Sequence, residues 1–421
     1  MRTKIVLAAA ALLPALALAN GYDVPSVTPR DLALVESGTA AQNDAGATFA
    51  NPSALSKVKG LSLNVAGSIL NLATDWSAPS GSNMAGSPGA STKTKPVPPV
   101  ALYAAYGFDA SGIPVGIGLG MNLPGGGNMY WEDTWAGRGH IITVDRKVYG
   151  FYLTGGVEVM KDLRVGGGLV YYYTTEYLKQ GVQPSDATYG ELATKGGAPS
   201  FDLSAEWTPA IESSPLTFGA DFKYKAKQTL KGDGSFVVQN ALLQPSPTGA
   251  PPPVDQGVTH DLTYPSVLNV GVAYRPPVKG LQLTFVYTWN GYSVYTDDTF
   301  VGDKGTTISV PRNYKDGMTF RLGGEYETTP KLTLRAGIER DLSGFNTDTY
   351  SPTLPDGNSW SFGLGAAWKL TPDLSVAATA FYALFDQVQS TGTTALPGIY
   401  NTNVLIVSAG VTWRTDLGMG K

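Results

Sequence analysis

Beyond Gly60, apolar and polar residues alternate with a period of two along most of the chain. GLSLNVAGSILNLAT sets Leu61, Leu63, Val65 and Ile69 on one face and Ser62, Asn64, Ala66 and Ser68 on the other. LQLTFVYTW places Leu281, Leu283, Phe285, Tyr287 and Trp289 against Gln282, Thr284, Val286 and Thr288. LTFGADFKYKAK opposes Phe218, Ala220, Phe222 and Tyr224 to a shared polar face of Asp221, Lys223, Lys225 and Lys227. MTFRLGGEYE and LTLRAGIERDL repeat the scheme. Successive side chains of a strand point to opposite faces, so the pattern predicts half-exposed antiparallel strands. Fourteen are expected, near 60–73, 97–108, 112–123, 139–159, 163–177, 200–209, 215–231, 259–275, 280–295, 316–328, 332–342, 358–369, 373–387 and 402–413.

Many of these strands are longer than the ~5–6 residues usual in soluble sheets. They suit the ~9–11 residues that a tilted strand needs to cross a bilayer. Connections alternate in length: short at 110–112, 161–162, 209–215, 276–279, 329–331 and 371–372, long at 74–96, 124–138, 178–199, 232–258, 296–315, 343–357 and 388–401. An even strand number with short turns at one end and long loops at the other predicts an all-β, 14-stranded antiparallel transmembrane β-barrel with both termini periplasmic. So much apolar face exceeds what one soluble core can bury. Tyr171 to Tyr173, and Trp289 with Tyr292 and Tyr295, are expected at strand ends, where aromatic girdles meet the head groups.

Composition removes other classes. Charged residues make up 15% of the 421 residues, against ~25% in ordinary soluble domains. There are no cysteines and two histidines, His140 and His260, so thiolate chemistry and a His-rich metal centre are excluded. The net charge of −4 leaves no basic stripe for nucleic acid. No nucleotide fingerprint, HExxH or GxSxG occurs. The expectation is a non-enzyme without a cofactor. Residues 1–19 read as a secretory signal peptide ending in Ala17-Leu18-Ala19. Residues 20–59 lack strand alternation and form a compact preface. The barrel then occupies 60–413, with a short tail at 414–421.

One strand stands apart. GIPVGIGLGMNLPGGG carries closely spaced glycines from Gly112 onward, with Pro114, and breaks at Pro124. Glycine and proline weaken ladder bonding and mark kinks or bulges. A kink there would open a lateral path from lumen to lipid; ordinary barrel curvature is the alternative.

In this light the chain resembles the FadL family of outer-membrane transporters for long-chain fatty acids or hydrocarbons. Asn20-Gly21-Tyr22 is similar to the family's small-Gly-aromatic mature start, and SGTAAQNDAGATFANPSAL to its hatch, with Asn51, Pro52 and Ser53 at the Asn-Pro-Ala step. Trp131, Trp135, Gly137 and Arg138 in YWEDTWAGRGH resemble its loop before the fourth strand. Tyr264-Pro265-Ser266, Thr288-Trp289-Asn290 and Leu354-Pro355-Asp356 follow in the family's order.

The resemblance implies that residues 20–59 plug the lumen as a hatch, that Asn20, Gly21 and Tyr22 line a substrate pocket, and that Gly118, Gly120, Met121 and Asn122 mark the lateral opening. It implies passive uptake of a hydrophobic small molecule by a monomer set among outer-membrane lipid and lipopolysaccharide. A carboxylate substrate would want a lumenal cation, for which Lys223, Lys225, Arg321 and Arg335 are candidates; pairing within the barrel to Asp221, Glu325 or Glu339 is the alternative for them. A non-specific aqueous porin and a structural or adhesive surface barrel are the competing readings.

Overall fold

The computed structural model describes residues 23–93, 95, 98–181, 189–209, 215–237, 253–390 and 396–415. Long strands make up the wall. They are β1 (Gly60–Ser77), β2 (Val100–Ala110), β3 (Ile113–Tyr130), β4 (Thr143–Met160), β5 (Leu163–Gly181) and β6 (Tyr189–Trp207). Two interrupted strands follow, β7 (Leu216–Lys223 and Ala226–Val237) and β8 (Pro253–Tyr264 and Val267–Tyr274). The wall ends with β9 (Leu281–Asn290), β10 (Gly317–Thr329), β11 (Leu332–Leu342), β12 (Ser359–Lys369), β13 (Leu374–Phe385) and β14 (Gly398–Thr415). Each pairs antiparallel with the next, and β14 pairs with β1 from Leu61↔Thr415 to Ser77↔Ile399, closing the barrel.

The alternation decides which face is which. Ile69, Leu119, Leu169 and Leu364 point outward and are 59–69% exposed, whereas Ser62, Thr154, Asp202 and Thr319 point inward and are buried. An apolar exterior around a polar interior is stable only with hydrocarbon outside. No described helix is long and apolar enough to cross a membrane.

The interior is filled by the chain that precedes β1. Thr28 caps a short helix, α1 (Pro29–Ala33), through its side chain, which accepts from the Asp31 amide. A second short helix, α2 (Ala47–Ala50), leads into a 3-10 turn at Pro52–Lys57. Leu32, Leu34 and Leu55 are essentially inaccessible. The wall makes room for this hatch: a Cβ on Gly116 would lie 2.1 Å from the Leu55 carbonyl oxygen, and one on Gly156 would lie 2.2 Å from that of Pro52.

Ion pairs fix the hatch around the wall. Arg30 meets Glu325 at 3.0 Å, Lys57 meets Glu206 at 2.6 Å and Asp44 meets Arg414 at 2.9 Å.

Several expectations are corrected. β3 does not stop before Pro124 but runs on to Tyr130, because a bulge absorbs the proline. β6 begins at Tyr189 rather than near 200, and β14 extends beyond Trp413 through Arg414 and Thr415. Tyr171 to Tyr173 lie within β5, not at its end: Tyr171 faces lipid while Tyr172 is buried, its ring 4.5 Å from that of Tyr264. Tyr292 and Tyr295 are no girdle residues either. β9 ends at Asn290 and the 3-10 turn Tyr292–Val294 carries both rings into the protein. Lys223, Lys225 and Lys227 do not share a face, because the interruption of β7 at 224–225 inverts the alternation. Lys223 is buried inside, whereas Lys225 and Lys227 are exposed.

Candidate functional site

The wall is not continuous between β1 and β3. Their common neighbour β2 is short, its ladder to β1 ending at Gly67↔Val100 and its ladder to β3 at Leu102↔Met121. Beyond that level β1 and β3 both continue, and residues of the 92–99 segment reach them through isolated contacts rather than a continuous ladder. Ser68 donates to the Pro99 carbonyl at 3.0 Å, Thr92 to Thr74 at 2.9 Å and Lys93 to Tyr130 at 2.7 Å.

The bulge in β3 lies at the same level. Its register to β4 passes from Asn122↔Gly150 to Gly125↔Val148, which inserts one extra residue. Pro124 has no amide hydrogen to give the ladder. The inserted residue reverses the alternation, so Asn122 is buried before it and Met129 after it. Tyr152 donates to the Asn122 carboxamide oxygen at 3.0 Å.

The start of the hatch is sewn onto this bulge. Asp23 bridges to Gly125, Val24 donates to the Pro124 carbonyl at 3.1 Å, and Tyr264 donates to the same oxygen at 2.8 Å. Behind α1, Val35 and Glu36 adopt φ of 47° and 59°. A left-handed β-branched residue is a costly turn. The turn aims the Glu36 carboxylate so that it accepts from the Ser26 amide at 2.8 Å and meets Arg321 at 3.4 Å. Burial pushes the Glu36 carboxyl up, against the pull of Arg321.

These pieces enclose a cavity of about 170 Å³. One wall is apolar: Leu70 and Leu72 of β1, Leu123 and Met129 of β3, and Phe381 and Phe385 of β13. The hatch start (Asp23, Val24, Pro25) and the Leu354-Pro355-Asp356 loop close it. The cations on its far side are already matched. Arg321 meets Glu339 at 2.7 Å, Arg146 meets Glu176 at 2.5 Å and Asp298 at 3.4 Å, and Lys147 pairs with Asp145.

The residues expected from sequence fall in different places. Asn20, Gly21 and Tyr22 lie outside the described residues. Asn51, Pro52 and Ser53 dock the hatch: the Asn51 side chain accepts from the Ser53 hydroxyl at 2.6 Å and donates to Thr39 at 2.8 Å, and Ser53 donates to Ser204 at 2.9 Å.

Gly118, Gly120 and Met121 stand in regular ladder, and of the four expected kink residues only Asn122 borders the register shift. A Cβ at Gly118 would lie 2.3 Å from the Thr48 hydroxyl, so this glycine admits the hatch rather than bending the wall.

Trp131 and Trp135 stack at 4.2 Å, beside Trp76, and Arg138 donates to the Asp133 carbonyl at 2.6 Å. With Gly137, whose Cβ would strike the Trp135 ring, they build a loop core that packs on Met129 and Leu72 of the cavity's apolar wall.

Lys223 lines a second cavity of about 60 Å³, paired with Asp221 at 2.5 Å and Asp202 at 3.3 Å. Lys225 is on the outside of the barrel. Arg335 pairs with Glu325 at 3.0 Å in a polar vestibule at the short-turn end.

Sequence reasoning missed Leu70, Leu72, Phe381 and Phe385. The signal was present in ILNLAT and TAFYALF, which are apolar on both faces where the lumen was expected to be polar.

Residues 10–414 match the family model described as outer membrane protein transport protein (OMPP1/FadL/TodX). The chain belongs to this family. It is a passive outer-membrane transporter of hydrophobic small molecules and a multi-pass β-barrel of that membrane.

Among relatives, a putative outer membrane protein of Neisseria meningitidis serogroup B is 21% identical over 413 residues, spanning 88% of this chain and 87% of its own. Outer membrane protein P1 of Haemophilus influenzae is 30% identical over 116 residues, 27% of this chain and 25% of its own.

The fold is that of a Pseudomonas aeruginosa FadL homologue, with a TM-score of 0.79 at 18% identity, covering 94% of this chain and all of that one (100%). The Pseudomonas putida toluene transporter TodX gives 0.72 at 16% identity, covering 93% and 98%.

Proposed function

We propose that this FadL-family member carries neutral hydrophobic molecules, hydrocarbons rather than fatty carboxylates, and releases them sideways between β1 and β3. The carrying observation is the cavity of about 170 Å³ that reaches from the hatch start to the interrupted wall. Burial of each methylene there is worth ~0.8 kcal/mol, enough to draw an apolar solute from water, and release into lipid keeps that gain without an energy source. The pairing of Arg321, Arg146 and Lys147 favours a neutral ligand, since a carboxylate would have to compete with Glu339, Glu36, Glu176, Asp298 and Asp145.

In this reading residues 1–19 are removed as a signal peptide, residues 20–59 act as one hatch, and Asn20, Gly21 and Tyr22 are candidate substrate-contacting residues. Asn51, Pro52 and Ser53 hold the hatch still while its first residues move off the bulge at Asn122. The barrel closes on itself through β1 and β14, which supports a monomer in lipid and lipopolysaccharide.

Gly127 lines the cavity and a Cβ there meets nothing within 4 Å, so Gly127→Phe should fold and obstruct it. In liposomes, wild-type protein should pass an alkylbenzene without an energy source, and the variant should pass it at least tenfold more slowly. Unchanged uptake in a folded variant rejects the route. Tighter binding of a fatty acid than of the alkylbenzene rejects the neutral class, and a steady large conductance would support the aqueous porin.

A further inference from the structure

The outer surface of β4 to β8 carries a row of side chains of which only Lys147 also borders the transport cavity. Lys147 of β4 stands opposite Thr175 of β5, Thr175 opposite Lys195 of β6, Lys195 opposite Lys231 of β7, and Lys231 opposite Thr259 of β8. Their neighbours Arg146, Thr174, Thr194, Leu230 and His260 are buried inside, so all five of the row face outward. Three cations and two hydroxyls thus lie side by side across five strands, with no acid in the row.

Lys195 and Lys231 are the anomaly. Directly opposed residues of an antiparallel pair bring their Cβ atoms to ~4.5–5.5 Å, and like charges so placed repel. Both are exposed, and neither makes an ion pair with a described carboxylate. Lys147 and Lys227, by contrast, are neutralised by Asp145 and Asp261. Asp233, two residues further along the outer face of β7, pairs with neither member of the couple. A repulsive pair placed on a surface is satisfied by an anion that bridges it.

The height of the pair identifies the anion's source. Trp207 marks the short-turn end of the outer face of β6, and Leu203 and Phe201 continue its apolar surface upward. The Phe201 ring stacks on Tyr224 of the interruption in β7 at 5.0 Å. Lys195 is reached twelve residues from Trp207, a rise of ~30 Å at ~3.3 Å per residue and ~40° tilt, just above an apolar band ~25 Å tall. That is the head-group level of the outer leaflet.

We propose that Lys195 and Lys231, flanked by the Thr175 and Thr259 hydroxyls, bind a phosphate group on the glycolipid of the outer leaflet. The aromatic and aliphatic surface of Phe201, Leu203 and Tyr224 lies below it, along the path of the acyl chains. The site rests on the membrane placement of the barrel and is independent of the cavity and its cargo.

The test uses the whole folded protein in detergent and lipid A as probe, with both phosphates or enzymatically dephosphorylated, and counts retained lipid by native mass spectrometry. Wild type should retain the phosphorylated form at least tenfold better. The double variant Lys195→Gln with Lys231→Gln should lose that preference, while Lys369→Gln at the other end of the barrel should keep it. Equal retention of the two lipids by wild type overturns the proposal without any variant, and so does an undiminished preference in the double variant. Inorganic phosphate that displaces lipid A at equal concentration would mark a site for free anions and also overturns it.

Discussion

The amide of Val24 donates to the carbonyl of Pro124 at 3.1 Å, which ties the first described residues of the hatch to the bulged residue pair of the wall. The same proline that interrupts the β3 ladder therefore supplies the acceptor that holds the hatch start. Tyr264 donates to that oxygen from across the lumen at 2.8 Å. Tyr264→Phe removes the hydroxyl that holds Pro124 and also reaches Asp23 at 3.5 Å, a loss of ~1 kcal/mol or more. The Val24 amide should then exchange with solvent roughly fivefold faster, while the amides of β4 keep their protection. Unaltered exchange at Val24 would show that the start of the hatch is anchored elsewhere.

The glycines of the inner wall give a contrasting pair of substitutions. Gly116→Ala drives a methyl group to 2.1 Å from the Leu55 carbonyl oxygen, so the 3-10 turn must move. Overpacking of this kind costs ~1–3 kcal/mol. Gly127→Ala enters open space and should be neutral. Thermal unfolding and single-channel recording should both separate the two, with new conductance in the Gly116 variant only.

Glu206 serves two cations, Lys57 of the hatch at 2.6 Å and Arg164 of β5 at 3.3 Å, and is itself 1% exposed. Removing one member of a buried ion pair leaves its partner uncompensated, at ~3–5 kcal/mol for full burial. Lys57 keeps some contact with water, so Glu206→Gln should cost about 2–3 kcal/mol, read as a lower denaturant midpoint. Restoring the wild-type midpoint by adding Lys57→Met would confirm that the loss lies in the stranded charge.

A hairpin of Asp297–Gly302 and Thr307–Pro311 leaves the β9–β10 connection and pairs with β8 at Val258 to His260. Asp298 anchors it, meeting Arg312 at 2.7 Å and His260 at 3.3 Å. Burial opposes its charge, but Arg312, Arg146 and His260 hold its carboxyl well below the usual range. A carboxyl depressed in the folded state stabilises fully above its unfolded value of ~3.9, and that stabilisation is lost as pH falls through the lower folded value. The hairpin should therefore resist protease from neutral pH down to about pH 4 and open only in stronger acid. Asp298→Asn should make it sensitive at neutral pH.

Legibility from the sequence followed the physics of each element. β1 and β9 were plain because lipid outside and hatch or water inside enforce a period of two. β3 was misjudged because a proline that ends a soluble strand is carried here by one extra residue, which only pairing with β4 reveals. Lys223, Lys225 and Lys227 look equivalent in one dimension, and the interruption at Tyr224 and Lys225 separates them. The carboxylate partners of Arg321 and Arg335 were visible as possible pairings because they sit on matching faces of neighbouring strands. The apolar side of the cavity was missed for a different reason. Leu70, Leu72, Phe381 and Phe385 come from strands distant in sequence, and only closure of the barrel brings β1 and β13 to either side of β14.

That closure constrains how the protein can be built. The segment that fills the interior ends where the seam strand begins, with only Val58 and Lys59 between the 3-10 turn and β1. Whatever machinery inserts the protein cannot treat plug and cylinder as separate parts. A cylinder sealed with its plug outside would be lined by glycine notches shaped for an absent occupant, and its leader would have to re-enter past the rim of its own last strand. Folding the leader first, and wrapping the sheet around it before β14 meets β1, avoids both difficulties. Pairing of β14 with β1 would then lock plug and cylinder together in one step.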